Sequence, residues 1–458
     1  MSQLGALLPQ ISTAVPGPRS MALAERLRGV ESRNVTHLSP HFPVFWEEAA
    51  GANVRDVDGN VYLDFTGAFG VSLAGHAHPA ITARIRRQSE TLTHGMGDVH
   101  PSALKVELLE RLAALSPWPD ARGVLASTGS EAVEIALKTA ELATGRSGIL
   151  SFEGAYHGLT LGSLAATARS DFREPFRRRL FEGVVFAPFP AGGGMAHALT
   201  VVEEALNQGA PAGHPIGAVI VEPIQGRAGV RIPAEGFLAA LVELARRAGA
   251  MVIFDEIFTG FGRTGSMFAF QHEGVAPDLL CVGKALGGGL PLSACLGSER
   301  IMSAWPESTG EALHTSTFLG HPLSCAAALA FLDVLAEENL VERADALGGE
   351  IAGRLRHQLE GVVGVGEVRG RGLLIGIELA SAGGQPLEGG GAAVASAALT
   401  SGLLTLPAGE AGHVVELAPP ATMTSEQAEV GVGLLAAAIR SVLDPANGCA
   451  GMTRPASR

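Results

Sequence analysis

Seven short apolar runs recur through the middle of the chain, and longer stretches with helical spacing of apolar positions separate several of them. The runs are GVLAST, GILSFE, GVVFAPF, GAVIVEP, MVIFDE, LLCVGK and LSACLG. Runs that do not alternate with polar residues predict strands buried on both faces, and helices between them are typical of a largely parallel sheet. We therefore predict an α/β fold. Ligands of such sheets bind at the carboxyl ends of the strands, where the polar residues of these runs lie.

Two helical patterns in this region have defined starting points. The stretch SEAVEIALKTAELAT places Val133, Leu137 and Ala140 on one face of a predicted helix. The stretch PAEGFLAALVELARRAGA predicts a second helix with Pro233 in its first turn, because proline is favoured there.

The two ends of the chain differ from the middle. Near the start, VRDVDGNVYLDF predicts a hairpin around Asp58 and Gly59. From about residue 340 onward, the helical stretch LVERADALGGEIAGRLRHQL and the strand GLLIGIEL predict another α/β unit, and the last dozen residues read as a frayed tail. We expect three segments: an N-terminal segment that contributes to a small domain, a large domain, and a C-terminal small domain, over residues 1–75, 76–335 and 336–458.

Composition narrows the possible partners. The 458 residues are 47% hydrophobic and carry a net charge of −13, with no basic run to neutralise phosphates, so we expect no nucleic-acid partner. No apolar stretch reaches eighteen residues and the start is not a convincing signal peptide, so we expect no membrane span and a cytoplasmic location. The cysteines show no metal-ligand spacing, which predicts no metal site and fits a reducing compartment; they are Cys281, Cys295, Cys325 and Cys449.

Several polar residues follow the predicted strands. Lys284 comes directly after LLCVG, and Asp255 ends the run VIFD. Gly129 and Ser130 open a helix, whose free N–H groups attract phosphate. The rings of Tyr156 and His157 follow another strand. Taken singly, each has an ordinary alternative: a solvated loop lysine, a loop acid, a helix cap, a core ring.

Together these residues meet the demands of pyridoxal phosphate (PLP). The cofactor needs a lysine for a Schiff base, an acid for its ring nitrogen, a cradle for its phosphate and a flat side chain against its ring. All four occur at successive strand ends, so PLP is the cofactor that the sequence predicts.

The chain resembles the class III aminotransferases of the PLP fold type I superfamily from about residue 40 to residue 440. The motifs that carry the resemblance are STGSEAVEIALK, AYHG, VEPIQG, FDEIFTGFGRTG, PDLLCVGKALGGGLPLSA and TSTFLGHPL. It implies a large, mostly parallel seven-stranded sheet domain and a smaller α/β domain built from both chain ends. It also implies that Lys284 is the Schiff-base lysine, that Asp255 holds the pyridinium and that Tyr156 stacks on the ring.

The resemblance extends to further cofactor contacts. Gly129 and Ser130 are expected to bind the phosphate, and His157, Glu222 and Gln225 to line the same site. Thr317 matches a threonine that reaches the phosphate of the neighbouring subunit, so a homodimer with shared active sites is implied.

Two charged positions depart from the family pattern. Relatives that use glutamate usually read EPIQGE at one loop and carry an arginine ahead of a late PP, and these two charges pair. Here the motifs read EPIQGR and VVELAPP, so Arg227 stands where such relatives have the glutamate, and Glu416 stands where they have the arginine. We predict a reversed ion pair in which Arg227 receives a substrate carboxylate; the alternative is that both are unrelated surface charges. Leu159 and Phe258 replace an arginine and a glutamine that are often found in such relatives, and we assign both to the substrate pocket.

The sequence therefore predicts an aminotransferase that moves an amino group from an ω-amino acid or amine, 4-aminobutyrate-like, to a 2-keto acid. Two alternatives stay open: a racemase, epimerase or lyase of the same fold, and a non-catalytic relative that binds PLP.

Overall fold

The computed structural model describes residues 3–444. The N-terminal part contains the helices α1 (Pro18–Val30), α2 (Gly67–Gly70), α3 (Pro79–Ser89) and α4 (Ala103–Leu115), and the strands β1 (Trp46–Ala50), β2 (Asn53–Asp56) and β3 (Val61–Asp64). Strands β2 and β3 pair antiparallel, with Asn53 opposite Leu63, and Gly59 in the connecting turn has a φ of 91°. The hairpin predicted around Asp58 and Gly59 is confirmed.

A seven-stranded sheet forms the centre of the molecule. Its strands are β4 (Ala121–Ala126), β5 (Gly148–Phe152), β6 (Val184–Ala187), β7 (Ile216–Val221), β8 (Met251–Asp255), β9 (Leu279–Val282) and β10 (Ser293–Ser298). Their order is β4-β10-β9-β8-β7-β5-β6; β10 pairs antiparallel with β4 and β9, and the other pairs are parallel. Each predicted apolar run is a strand of this sheet, so the predicted large, mostly parallel sheet is confirmed.

Helices cover both faces of the sheet, because successive residues of a buried strand point to opposite sides. On β7, Val219 belongs to the same apolar cluster as Leu241, whereas Ile220 packs in a second cluster with Val133. The helices are α5 (Gly129–Thr144), α6 (Leu161–Ala166), α7 (Ser170–Arg173), α8 (Met195–Gln208), α9 (Phe237–Arg247), α10 (Glu299–Met302) and α11 (Pro322–Glu337).

The start of α9 corrects one expectation from the sequence. The helix begins at Phe237, four residues after the predicted first-turn proline, Pro233. Gly236 precedes it with a φ of 82°, a left-handed conformation that a helix cannot include and that glycine adopts readily.

The C-terminal part consists of α12 (Leu340–Gln358), β11 (Val365–Arg371), β12 (Leu374–Leu379), α13 (Gly390–Thr400), β13 (Leu403–Leu404), β14 (Leu406–Ala408), β15 (Val414–Leu417) and α14 (Ser425–Leu443). Four of the strands form the antiparallel sheet β11-β12-β15-β14, and β13 pairs in parallel with β3 of the N-terminal part. The small sheet β1-β2-β3-β13 thus contains strands from both the N-terminal and the C-terminal part. The domain boundaries at residues 75 and 335 stay predictions, and the tail that contains Cys449 lies outside the described residues.

The side chain of Arg263 joins three parts of the chain. It is fully buried, and its guanidinium donates to the carbonyl oxygens of Gly70, Leu373 and Pro419 at 3.3, 3.4 and 2.6 Å. Burial lowers the pKa of Arg263 to about 9, against the opposing effect of Asp64 and Glu416. The N-terminal part, the large sheet and the C-terminal part therefore meet at one buried cation.

No helix within residues 3–444 is long and apolar enough to cross a membrane.

Candidate active site

A cavity of about 440 Å³ opens at the carboxyl ends of the central parallel strands. Most of the residues that the sequence singled out line it: Gly129, Ser130, Tyr156, His157, Glu222, Arg227, Asp255, Phe258 and Lys284. They come together because β5, β7, β8 and β9 run in the same direction, so that their carboxyl ends meet at one edge of the sheet.

Lys284 follows β9 after one glycine and starts a short 3-10 turn that ends at Gly287. The backbone φ of Lys284 is 40°. Residues other than glycine rarely adopt this left-handed conformation, and where they do, the position is often in a functional site. Burial lowers the pKa of Lys284, and the carboxylates of Asp255, Glu416 and Glu222 only partly offset this. Its Nζ lies 4.0 Å from the centre of the Phe258 ring.

Asp255 is held from two sides at the end of β8. Its Oδ1 accepts from the backbone N–H of Ile257 at 3.1 Å, and its Oδ2 lies 2.8 Å from Nδ1 of His157. Both side chains are buried. The other ring nitrogen of His157, Nε2, is buried without a hydrogen-bond partner among residues 3–444. The sequence suggested His157 as a flat ring for the cofactor, whereas the structure places it against Asp255, where it fixes the direction of the carboxylate.

Glu222 follows β7 and is buried. Its Oε1 accepts from the backbone N–H of Tyr156 at 2.9 Å, and its Oε2 accepts from that of Gly226 at 3.2 Å. Burial raises the pKa of Glu222 to about 7 in spite of these two bonds. Glu222 therefore holds the backbone beneath Tyr156, whose ring packs edge-on against Phe172 with centroids 5.8 Å apart.

The first turn of α5 forms one wall of the cavity. Thr128 caps the helix in a reciprocal arrangement with Glu131, in which each side chain accepts from the backbone N–H of the other. Ser130 Oγ accepts from the backbone N–H of Leu159 at 3.1 Å. Gly158 approaches this turn so closely that a Cβ on it would lie 2.0 Å from Ser130 Oγ, and its φ is 122°. The first N–H groups of a helix have no intrahelical acceptors, and Thr128, Gly129 and Ser130 line the cavity, so this turn is suited to an anion.

The predicted contact between Arg227 and Glu416 is not formed as an ion pair. Within the described part of the chain, the two have no N–O distance of 4.0 Å or less. Arg227 lines the cavity, whereas Glu416 is only 3% exposed and lies in β15. The two still act on each other electrostatically, because Arg227 opposes the rise that burial causes in the pKa of Glu416. The expectation of unrelated surface charges is also wrong, since Glu416 is buried.

Besides Glu416, three other predicted residues do not line the cavity. The Gln225 amide donates to the carbonyl of Glu153 at 2.9 Å and accepts from Arg231, so its side chain is directed away. Leu159 is 50% exposed, and Thr317 is exposed on a loop ahead of α11. The apolar wall instead includes residues that the sequence analysis did not select, namely Val71, Ile224, Ile257, Leu290 and Leu292. Leu290 and Leu292 directly follow the glycines after Lys284, which was a usable signal, but nothing near Val71 in the sequence indicates its place here.

No group of His, Cys, Asp or Glu side chains in residues 3–444 is arranged to hold a metal ion.

The chain is similar to known proteins along most of its length. The family model described as aminotransferase class-III matches residues 35–439. An acetylornithine aminotransferase of Methanothermobacter thermautotrophicus is 38% identical over 90% of this chain and 98% of its own length. A 4-aminobutyrate aminotransferase of Mycobacterium leprae is 35% identical, over 93% and 97%. An alanine/serine racemase of Pyrococcus horikoshii is 32% identical, over 95% and 93%. Among solved structures, an amine transaminase from an uncultivated Pseudomonas species, crystallised with PLP, matches with a TM-score of 0.82 at 31% identity, covering 89% of this chain and 98% of that chain.

Proposed function

The chain belongs to the class III aminotransferase family, and from this premise we propose which residues bind PLP and which substrates the site takes. The observation that carries the proposal is the meeting of Lys284, Asp255 and the first turn of α5 in one cavity. A lysine, a buried acid and a helix N-terminus satisfy three different parts of the cofactor.

The cavity fits the cofactor in its detailed chemistry. The first turn of α5, with Gly129 and Ser130, would hold the phosphate, because its N–H groups have no intrahelical acceptors. The absence of a side chain at Gly158 keeps this cradle open. Asp255 would hold the ring nitrogen, and Tyr156 would lie against the ring. Once bound, PLP supplies an electron-withdrawing ring that stabilises negative charge at the carbon bearing the amine.

Lys284 is the group that we assign to carry the proton. Its lowered pKa favours the neutral amine, which accepts a proton at Nζ and releases it again. The left-handed backbone and the turn that follows fix where Nζ lies. His157 keeps the Asp255 carboxylate in one orientation, as a positioning residue. Gln225 does not contact the cavity; its side-chain amide donates to the backbone carbonyl of Glu153 and so supports the loop behind the site.

For substrates, we propose an ω-amino acid or amine, 4-aminobutyrate-like, as donor and a 2-keto acid as acceptor. Arg227 would receive a substrate carboxylate, because its planar guanidinium grips a carboxylate through two hydrogen bonds. Phe258 supplies apolar surface next to it. Leu159 lies outside the cavity in a single chain, so we assign it to the rim. Thr317 would complete the phosphate site of a neighbouring subunit in a homodimer. We propose a cytoplasmic location, supported by three buried free cysteines within residues 3–444.

The experiment is a half-reaction on the holoenzyme. Donors are added without any keto acid, and the conversion of the cofactor to its amino form is followed by absorbance. A 2-keto acid is then added, and its amino-acid product is measured by chromatography. Wild-type protein should complete both halves, and Lys284→Ala should complete neither while it still binds PLP.

The racemase relative makes one alternative worth a direct measurement. A single enantiomer of alanine or serine is incubated with the holoenzyme, and the configuration of the recovered amino acid is determined. Racemisation without conversion of the cofactor to its amino form would replace the aminotransferase assignment.

A further inference from the structure

The ring of Phe258 is held at two edges by glycines from other parts of the chain. A Cβ on Gly70 would lie 2.4 Å from Cε2 of the ring, and a Cβ on Gly226 would lie 2.4 Å from Cδ1. These two carbons belong to opposite edges of the ring. The side chain is buried and packs in one apolar cluster with Ile224 and Ala418. Close packing on both edges means that the ring cannot shift sideways unless backbone moves with it.

The two glycines differ in why they lack a side chain. Gly70 has a φ of 79°, so its backbone favours glycine in any case. The φ of Gly226 lies outside the left-handed region, and the three atoms nearest to an added Cβ all belong to the Phe258 ring. A side chain at position 226 is therefore excluded by the ring and not by backbone strain.

The face of this ring carries the side-chain nitrogen of Lys284. Nζ lies 4.0 Å from the ring centre, within the range in which an ammonium group is attracted to an aromatic face. Among the residues that the structure describes, no carboxylate oxygen lies within 4.0 Å of Nζ. Both side chains line the cavity. The ring face, and not an ion pair, is thus the direct contact that holds this cation.

Four charged groups act on Lys284 from further away. Burial lowers the pKa of Lys284, whereas Asp255 at the end of β8, Glu416 in β15 and Glu222 after β7 raise it, and Arg227 lowers it. An aromatic face attracts an ammonium group without engaging any of these carboxylates. The contact with the ring therefore keeps Nζ in place and leaves the nearby acids unpaired with it.

We propose that Phe258 is a positioning residue, whose ring, held between Gly70 and Gly226, keeps Nζ of Lys284 directed at the cavity while the site is without cofactor. The inference rests on the proposed function in one respect, namely that Lys284 is the lysine that binds PLP. Because the ring holds the ammonium group, Asp255 forms no ion pair with Nζ, and its carboxylate stays available to the ring nitrogen of the cofactor.

The test measures the reactivity of Lys284 in the cofactor-free full-length protein, so it does not depend on PLP binding. Cyanate carbamoylates a neutral amine but not an ammonium group, and mass spectrometry of the peptide that contains Lys284 gives the rate at each pH. Lys138, an exposed lysine on α5, is the reference in the same sample. The pH of half-maximal rate, the labelling midpoint, reports how strongly the site favours the ammonium form.

Fluorinated phenylalanines at position 258 separate the charge distribution of the ring from its size. Fluorine is close to hydrogen in size but withdraws electron density from the ring face that attracts the cation. One fluorine at the tip of the ring should lower the labelling midpoint by roughly a few tenths of a pH unit, and three should lower it by about one pH unit. The control is the same trifluorinated residue in place of Phe176, which is exposed and does not line the cavity; it should leave the midpoint unchanged.

Gly226→Ala tests whether the ring is held by its neighbours. The added methyl should displace the ring and shift the labelling midpoint of Lys284. In a Phe258→Ala background there is no ring to displace, so Gly226→Ala should there shift the midpoint by less than about half as much.

An unchanged midpoint in both fluorinated proteins, or the same shift from Gly226→Ala in both backgrounds, would overturn the role of Phe258 while amine transfer stands. The single fluorine replaces one hydrogen atom, so the inference is tested even if the other variants do not fold. Failure of the wild-type holoenzyme to convert any donor, together with the expected labelling shifts, would instead reject the proposed function alone.

Discussion

At the scale of single residues, Arg227 is the cation best placed to meet a substrate anion. It lines the cavity and forms no ion pair within residues 3–444. Arg227→Ala should therefore raise KM for a 2-keto acid about tenfold or more, because a charge-assisted bidentate contact is lost. KM for an uncharged-tail amine such as 1-aminopentane should change little. Steady-state kinetics with both substrates check this, and an equal effect on all substrates would remove Arg227 from the carboxylate site.

Glu222 should make stability depend on pH. Its pKa of about 7 lies above the ordinary value of 4.5, so the folded state binds the proton more tightly than the unfolded chain. The resulting stabilisation is fully present below about pH 4.5 and is lost as the pH rises through 7. Between pH 5 and pH 8, the free energy of unfolding of the cofactor-free wild-type protein should fall by on the order of 2 kcal/mol more than that of the Glu222→Gln variant.

The measurement is urea unfolding at both pH values and at one protein concentration, which an oligomer requires. Parallel pH profiles for the wild type and Glu222→Gln would show that another group dominates.

The sequence identified most residues of the candidate site, but it did not predict which of their side chains contact one another. Lys284 and Asp255 were found because an ionisable residue directly after a buried strand is unusual, whereas Glu222 was found only through the family resemblance. The contact between His157 and Asp255 joins positions 98 residues apart, and no local pattern encodes it. Gln225 was assigned to the cofactor from its motif, but its side chain bonds Glu153 on the far side of the loop.

At the scale of elements, the first turn of α5 depends on a close approach by Gly158. A Cβ at this position would lie 2.0 Å from Ser130 Oγ, so Gly158→Ala should push the turn and the following loop apart. We expect PLP affinity to fall about tenfold or more, measured by titration of the cofactor-free protein. The control is Gly145→Ala at the other end of α5, which also has a positive φ but has nothing within 4 Å of the added Cβ. Both changes introduce backbone strain, so an equal loss of affinity would contradict a specific role for Gly158.

Elements were the level at which the sequence was most informative. The seven strands of the central sheet follow from apolar runs that are too short for buried helices and that end in glycine or polar residues. The order of the strands and the antiparallel direction of β10 depend on pairing between distant segments, which apolar periodicity does not contain. The start of α9 was misplaced because Pro233 suits a first turn, while the left-handed Gly236 delays the helix.

At the scale of the whole molecule, the loop that carries Thr317 is exposed together with apolar neighbours. Leu313, Phe318 and Met96 are 69%, 57% and 53% accessible, and His94 contacts the Phe318 ring with centroids 5.2 Å apart. An apolar surface of this kind is typical of a protein–protein interface. Together with the implied phosphate contact, it supports the proposed dimer.

Thr317→Ala should then weaken PLP binding about tenfold, although Thr317 does not line the cavity of its own chain. The change would remove the hydrogen bond that we propose between Thr317 and the phosphate of the neighbouring subunit. Thr315→Ala, two positions earlier in the same loop, is the control, because its hydroxyl donates to Asp98 at 2.8 Å. Cofactor titration and sedimentation measure affinity and assembly together. A dimer whose PLP affinity is unaffected by Thr317→Ala would exclude the shared site.

Arg263 also determines when the three parts of the chain can pack together during synthesis. Its buried guanidinium donates to the carbonyl of Pro419, 156 residues further along. At about 5–20 residues per second, a ribosome needs roughly 8–30 s to make that stretch. Until Leu373 and Pro419 have been made, Arg263 lacks two of its three carbonyl partners. Burial of Arg263 at that stage would leave its charge poorly compensated. A nascent chain therefore has its complete central sheet, which ends at Ser298, well before the C-terminal part can pack around Arg263.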